Sequence, residues 1–296
     1  MIKQLKEIYP SLQVLEHGMP TSDLAYKWFS ATNGTIVGIH ESELPSRDLS
    51  LLATFLTPYN PTFPMLTDEE KKWLAVLDSS IKVEEIDFPL TLPFRFVHFS
   101  IQEKQISPIA FKQAVNDFYA QQVPILWESD HQGILVEYIT KEDGPLFYEE
   151  IINILMSDLY INIYFFVGPF RTSLDGVLAH YRAMIDGAKV VSLYSNKTVL
   201  NYTEAIPYLM INQTSASLRE EIKQSVLQVY QEDQETIKMI EVFVRNNLNI
   251  SETAKALHMH RNSLQYRFDR FFENTGIDVR KFHDAMAVYL AISTQK

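Results

Sequence analysis

Hydrophobic positions along the chain change their period several times, and each change marks an element. Residues 3–8 and 48–56 carry apolar side chains at helical spacing, and 34–39 reads as a short strand. Thr67 before Asp68, Glu69 and Glu70 predicts a capped helix start ahead of Trp73, Leu74 and Leu77. From Phe94 onward strands and helices alternate. The pattern predicts a strand at 94–101 and a helix at 108–120 with Pro108 in its first turn. Strands at 124–128 and 134–139 flank a turn at 129–133. A helix at 146–160, a strand at 162–167 and a helix at 173–189 follow, with a last short strand at 190–194. The order βαββαβ plus one helix is the ferredoxin-like pattern. Residues 215–230 repeat Leu218, Ile222, Val226 and Val229 at helical spacing and read as a linker or dimer helix. Beyond Gln234 every periodic stretch is helical.

The C-terminal pattern is the most specific. Ile237, Ile240, Val244 and Leu248 mark one helix, and Asn249 or Ser251 can cap the next, over 252–257. His258-Met259-His260 forms a turn, and a third helix starts at Arg261. Ala254 is small where two short helices would cross. Leu257, Met259, Leu264 and Phe268 supply a shared core. Between them stand Arg261, Asn262, Gln265 and Arg267, which can donate to phosphates or base edges. The first turn of a recognition helix enters the major groove, which favours Arg261 and Asn262. A solvated amphipathic helix in a three-helix bundle has the same spacing.

Composition adjusts this picture. The chain has 296 residues, room for two or three domains, and 46% hydrophobic residues, enough for real cores. It has no cysteine, which removes disulfides, thiolate zinc sites and cysteine nucleophiles and fits a cytoplasmic protein. The first residues do not read as a signal peptide. The uncharged stretch 49–67 contains Pro58, Pro61 and Pro64 and reads as a helix end followed by a buried loop, not a membrane span. Net charge is −11, yet 236–296 holds nine basic and six acidic residues, so +3 sits at the C-terminus and −14 elsewhere. An acidic body with a mildly basic end suits a sensor joined to a DNA reader.

Other chemistry is thin. His258 and His260 form a His-x-His pair without a third ligand, so no metal is expected; His260 contacts phosphate or caps the helix. No phosphate-cradling glycine motif appears, and no cofactor is implied. Asp68/Glu69/Glu70, Glu84/Glu85 and Glu149/Glu150 read as solvated faces or helix starts. Tyr160, Tyr164, Phe165, Phe166 and Phe170 read as sheet core.

The run NISETAKALHMHRNSLQYRFDRFFENTG, with a following helix ending in LAI, resembles the C-terminal helix-turn-helix of the PucR/CdaR family of bacterial transcription regulators. Ala254, Leu257, His260, Arg261, Asn262, Leu264, Tyr266, Arg267 and Gly276 carry the match, and Val229 to Asp233 looks like that family's junction. His258 stands where the family usually has glycine, and Ser263 where threonine is usual. Val167 to Leu174, leading into Tyr181-Arg182-Ala183 and Ala188, resembles the family's degenerate GGDEF-like domain. Active cyclases of that fold hold Mg²⁺ with carboxylates. Here the first strand offers none and the hairpin reads ESDHQG, so no catalytic residue and no cyclase activity are expected.

The sequence thus predicts an α+β protein in four parts. These are a mixed α/β region at 1–92 (a possible sensor), a degenerate GGDEF-like ferredoxin-type sandwich at 93–205, a linker or dimer helix at 206–232, and an all-α helix-turn-helix bundle at 233–296. The resemblance implies a DNA-binding transcriptional regulator. Its expected contacts to double-stranded DNA are Ser251, Thr253, His260, Arg261, Asn262, Ser263, Gln265, Tyr266 and Arg267. A homodimer or higher oligomer, a small-molecule effector or partner protein, a cytoplasmic location and no membrane complete the expectation. A scaffold whose helix-turn-helix no longer reads DNA, or a nucleotide-binding cyclase-like protein, are the alternatives.

Overall fold

Alternating apolar residues in the N-terminal third build a small antiparallel sheet. A computed structural model describes residues 2–15, 25–31, 35–78, 93–119, 121–139, 148 and 160–295. Helix α1 (Ile2–Ile8) precedes β1 (Gln13–Leu15), β2 (Tyr26–Ser30) and β3 (Ile36–His40); α2 (Ser46–Leu52) leads to β4 (Thr57–Tyr59). The sheet runs β1-β3-β2-β4. Phe29, Val37 and Ile39 face a core closed by Tyr9, Leu12, Leu52 and Leu56. The uncharged stretch 49–67 is therefore not a helix end and a buried loop: it contains β4, and Met65 and Leu66 beyond it are exposed. Pro58 fits because β4 is an edge strand, where a missing N–H costs no ladder bond.

Helix α3 (Asp68–Leu77) starts as its sequence predicts. Thr67 Oγ1 accepts from Glu70 N–H at 3.2 Å, and Glu70 accepts from Thr67 N–H at 2.7 Å, a reciprocal capping box. Glu70 is not solvated, however. It is 1% exposed and its second role is to bind Lys112 Nζ at 2.7 Å. Glu84/Glu85 and Glu149/Glu150 lie outside the described residues.

The second sheet runs β6-β7-β5-β8-β9. Its strands are β5 (Phe94–Ile101), β6 (Ile125–Trp127), β7 (Gln132–Tyr138), β8 (Ile163–Val167) and β9 (Val199–Asn201), with α4 (Pro108–Tyr119) after β5. Strand β9 runs parallel to β8. The predicted helix at 146–160 lies outside the described residues apart from Tyr148 and Tyr160. Phe165 and Phe166 are core, as their apolar run predicts, but Tyr160, Tyr164 and Phe170 are exposed.

Two boundaries here differ from the sequence reading. Helix α5 spans Val177–Tyr194, so it starts four residues after 173 and absorbs 190–194, which is not a strand. Ser173 Oγ accepts from Asp175 N–H, a local turn that competes with helix, and Gly176 has φ +64°. At the other end Val191 and Tyr194 are buried at helical spacing from Gly187. Burial overrides their strand propensity.

The rest is helical: α6 (Tyr202–Asn212), α7 (Ala216–Leu227), a 3₁₀ turn (Gln228–Tyr230), α8 (Gln234–Arg245), α9 (Ile250–Ala256), α10 (Arg261–Thr275) and α11 (Phe282–Ser293). By contact the chain forms two units. One comprises Met1–Ala75, Ser100–Ile134 and Asn153–Ile163, and the other Val76–Phe99, Leu135–Ile152 and Tyr164–Lys296. Helix α7 packs on α11 and places Leu227 in the C-terminal core, with Ile222, Val226 and Tyr230 against it.

Candidate nucleic-acid interface

Three caps set the reader's geometry. Asp233 caps α8 by accepting from Thr236 N–H at 3.0 Å and Thr236 Oγ1 at 2.7 Å. The Thr236 backbone N–H, more than any other contact, holds this carboxyl below its usual range. Asn249 caps α9 by accepting from Ser251 and Glu252 N–H. His260 caps α10 through Nδ1, which accepts from Asn262 N–H at 3.2 Å. Gly276, with φ +74°, closes α10.

The turn between α9 and α10 is tight. His258 N–H donates to Lys255 O and Met259 N–H to Ala254 O. His258 holds φ +52°, the left-handed conformation that favours glycine, so the non-glycine residue is accommodated under strain. The steep crossing rests on Ala254, 4% exposed, and on Phe243 against Phe268 with ring centroids 4.5 Å apart. Leu264, Phe268 and Phe271 bury one side of α10. Asn262, Tyr266, Asp269 and Glu273 are exposed on the opposite side.

The expected contact residues do not all reach solvent. Ser251, His260, Arg261, Asn262, Ser263 and Tyr266 are exposed, and Gln265 and Arg267 are half-buried. Thr253 is corrected: it is 0% exposed and its hydroxyl donates to Asn249 O at 2.7 Å, so it serves the helix start rather than DNA. Arg267 pairs with Glu235 at 2.6 Å.

Beside α10 lies an open cleft of about 730 Å³. Asn262, Ser263, Tyr266, Arg267 and Arg270 form one wall, and Tyr230 and Asp233 stand opposite. Tyr230 is fastened to α10. Its hydroxyl donates to Arg270 O at 3.3 Å and accepts from Asn274 Nδ2 at 2.7 Å, and its ring lies 4.9 Å from Phe271. Sequence reasoning missed Arg270 and Asn274, although they follow Ser263 at i+7 and i+11, the spacing of one helix face. Farther along, Arg280 binds Asp269 and Asp278, each at 2.7 Å. Among the described residues no group of three or more His, Asp or Glu could hold a metal ion. None of the described helices is long and apolar enough to cross a membrane.

Comparison with known proteins agrees with this geometry. Residues 236–294 match the PucR C-terminal helix-turn-helix domain, and they span α8 to α11. This segment is therefore a PucR-type helix-turn-helix, a domain type of DNA-binding transcriptional regulators. The chain is 28% identical to YxkF, an uncharacterized protein of Bacillus subtilis, over 97% of each chain. It is 38% identical to the carbohydrate diacid regulator of Escherichia coli over 19% of this chain and 14% of that one. It is 34% identical to the purine catabolism regulatory protein of B. subtilis over 25% and 14% respectively. A solved regulator of polyketide synthase expression from Bifidobacterium adolescentis aligns over 79% of this chain and 96% of its own, with TM-score 0.36 and 18% identity.

Proposed function

We propose that this protein is a transcriptional regulator of the PucR/CdaR type that reads duplex DNA with the first turns of α10. The observation that carries the reading is the exposure of Arg261, Asn262 and Tyr266 at the start of a helix held by a tight turn inside a PucR-type domain. Arg261 and Asn262 are the base readers. Ser251, His260, Ser263, Gln265 and Arg267 position the domain on the strand. Paired half-sites require a homodimer or higher oligomer. Residues 1–92 and 93–205 sense a small molecule or partner protein, and the readers' spacing responds.

The central region serves as a degenerate GGDEF-like domain without cyclase chemistry. Its strand order and the position of α4 between β5 and β6 support the ferredoxin-like reading. The carboxylate on β7, Glu137, is bound by Arg95 Nε at 2.6 Å and by the Tyr148 hydroxyl, so cationic and neutral donors take it rather than a metal.

Anisotropy on duplex DNA from upstream of the protein's own gene tests the reading. Wild type should bind specifically, and Arg261→Ala/Asn262→Ala should lose about 1–3 kcal/mol per base contact. Equal binding by both proteins would end the proposal. A second reading, a scaffold that does not read DNA, is favoured by Asp269 and Glu273 on the outward stripe of α10. It predicts binding without the steep salt dependence of counterion release.

A further inference from the structure

Resting on the DNA reading above, we propose that the cleft flanking α10 seats one sugar–phosphate strand, with Arg270 as its phosphate-binding cation. Asn262 and Tyr266 stand on the outward stripe and also line the cleft, so the base-reading edge continues into it. Along the cleft's α10 wall, Ser263, Arg270 and Asn274 follow one another on a single helix face. That sequence gives a hydroxyl, a guanidinium and an amide in a row, the donor set that phosphate oxygens take.

The two cations of this wall are not equivalent. Arg267 already holds Glu235 at 2.6 Å, so its charge is largely spent within the protein. Arg270 is exposed and forms no ion pair among the described residues. The acids nearby are committed as well. Asp233 caps α8 through Thr236, and Asp269 lies on Arg280. Phosphate attraction in the cleft therefore falls to Arg270, with Glu235 as a competitor that keeps Arg267 from the strand.

The test measures binding of the full-length protein to the upstream duplex and to an unrelated duplex of equal length across a salt series. Arg270→Gln should weaken both by about three- to tenfold and lower the salt slope by about one. Arg270→Lys should restore most of the slope, because the charge rather than the fork is required. Lys189→Gln, an equal loss of charge at an exposed site on α5, should leave the slope unchanged. Glu235→Gln should tighten binding by releasing Arg267. The assignment is overturned if Arg270→Gln keeps the wild-type slope, or if Lys189→Gln lowers it equally. Absence of salt-dependent binding by wild type would instead remove the DNA reading itself, and this assignment with it.

Discussion

The hydroxyl groups of Tyr208 and Tyr289 meet at 3.3 Å where α6 lies against α11. Tyr208 is 3% exposed and also stacks on Tyr194 of α5, with centroids 5.7 Å apart and planes 10° from parallel. Arg219 of α7 donates to the Tyr194 hydroxyl. The contact joins the helices beside β9 to the last helix of the reader. Burial, then the bond to Tyr208, drives the Tyr289 phenol well above its ordinary pKa, so both hydroxyls stay neutral.

Removing one hydroxyl of this pair leaves the other without its partner in a mostly dry site. Tyr289→Phe should cost about 1–2 kcal/mol by urea unfolding. The double variant Tyr208→Phe/Tyr289→Phe should cost less than the sum of the singles. Strict additivity would show that the two hydroxyls do not interact.

His258 gives a prediction of the opposite sign. A β-carbon at φ +52° costs roughly 1–2 kcal/mol, and glycine's greater freedom when unfolded returns about 0.5–1 kcal/mol of that. His258→Gly should therefore stabilise the protein by roughly 0.5–1 kcal/mol and raise Tm. An unchanged or lower Tm would mean that the exposed imidazole makes a compensating contact.

How far the sequence reveals these features depends on where each constraint acts. The start of α10 at Arg261 is legible because its cap, turn and core residues are neighbours in the chain. Strand β5 is legible because both of its faces are apolar. Thr253 misleads: its polarity suggests exposure, but a helix-start hydroxyl can satisfy itself on Asn249 O and be buried. Glu70 misleads for the same reason at longer range, since its partner is 42 residues away. Helix α7 has a linker's composition on its outer face, and only the packing of Leu227 shows that it belongs to the reader's core. Arg270 is missed because nothing local separates it from Arg267. Their difference is Glu235, on another helix.

His180 links stability to pH. Burial, and after it the neighbouring Arg171 guanidinium, push this imidazole below its usual value of 6.5. The unfolded chain then takes up the proton first. The stabilisation is fully present above pH 6.5 and is lost as pH falls through the lower folded value. His180→Gln removes the stack on Phe96, whose centroid lies 5.5 Å away, so the variant should be less stable at neutral pH. The two stability curves should converge as pH drops below 6.5, read by urea unfolding across pH. Parallel curves would remove His180 from the titration.

The buried ion pair between Glu70 and Lys112 offers the largest effect. Glu70 Oε1 accepts from Ile125 N–H at 2.9 Å, while Oε2 accepts from Thr67 N–H and Lys112 Nζ, each at 2.7 Å. The side chains are 1% and 11% exposed. Lys112→Met strands a carboxylate among backbone donors and should cost about 3–5 kcal/mol. Adding Glu70→Gln to that variant removes the uncompensated charge, yet the amide oxygen can still accept from Ile125 N–H. The double variant should therefore regain about 1–3 kcal/mol over Lys112→Met alone. Urea midpoints at constant m-value measure the difference. If Glu70→Gln restores nothing, the loss in Lys112→Met comes from the lysine stem's packing and not from the stranded charge.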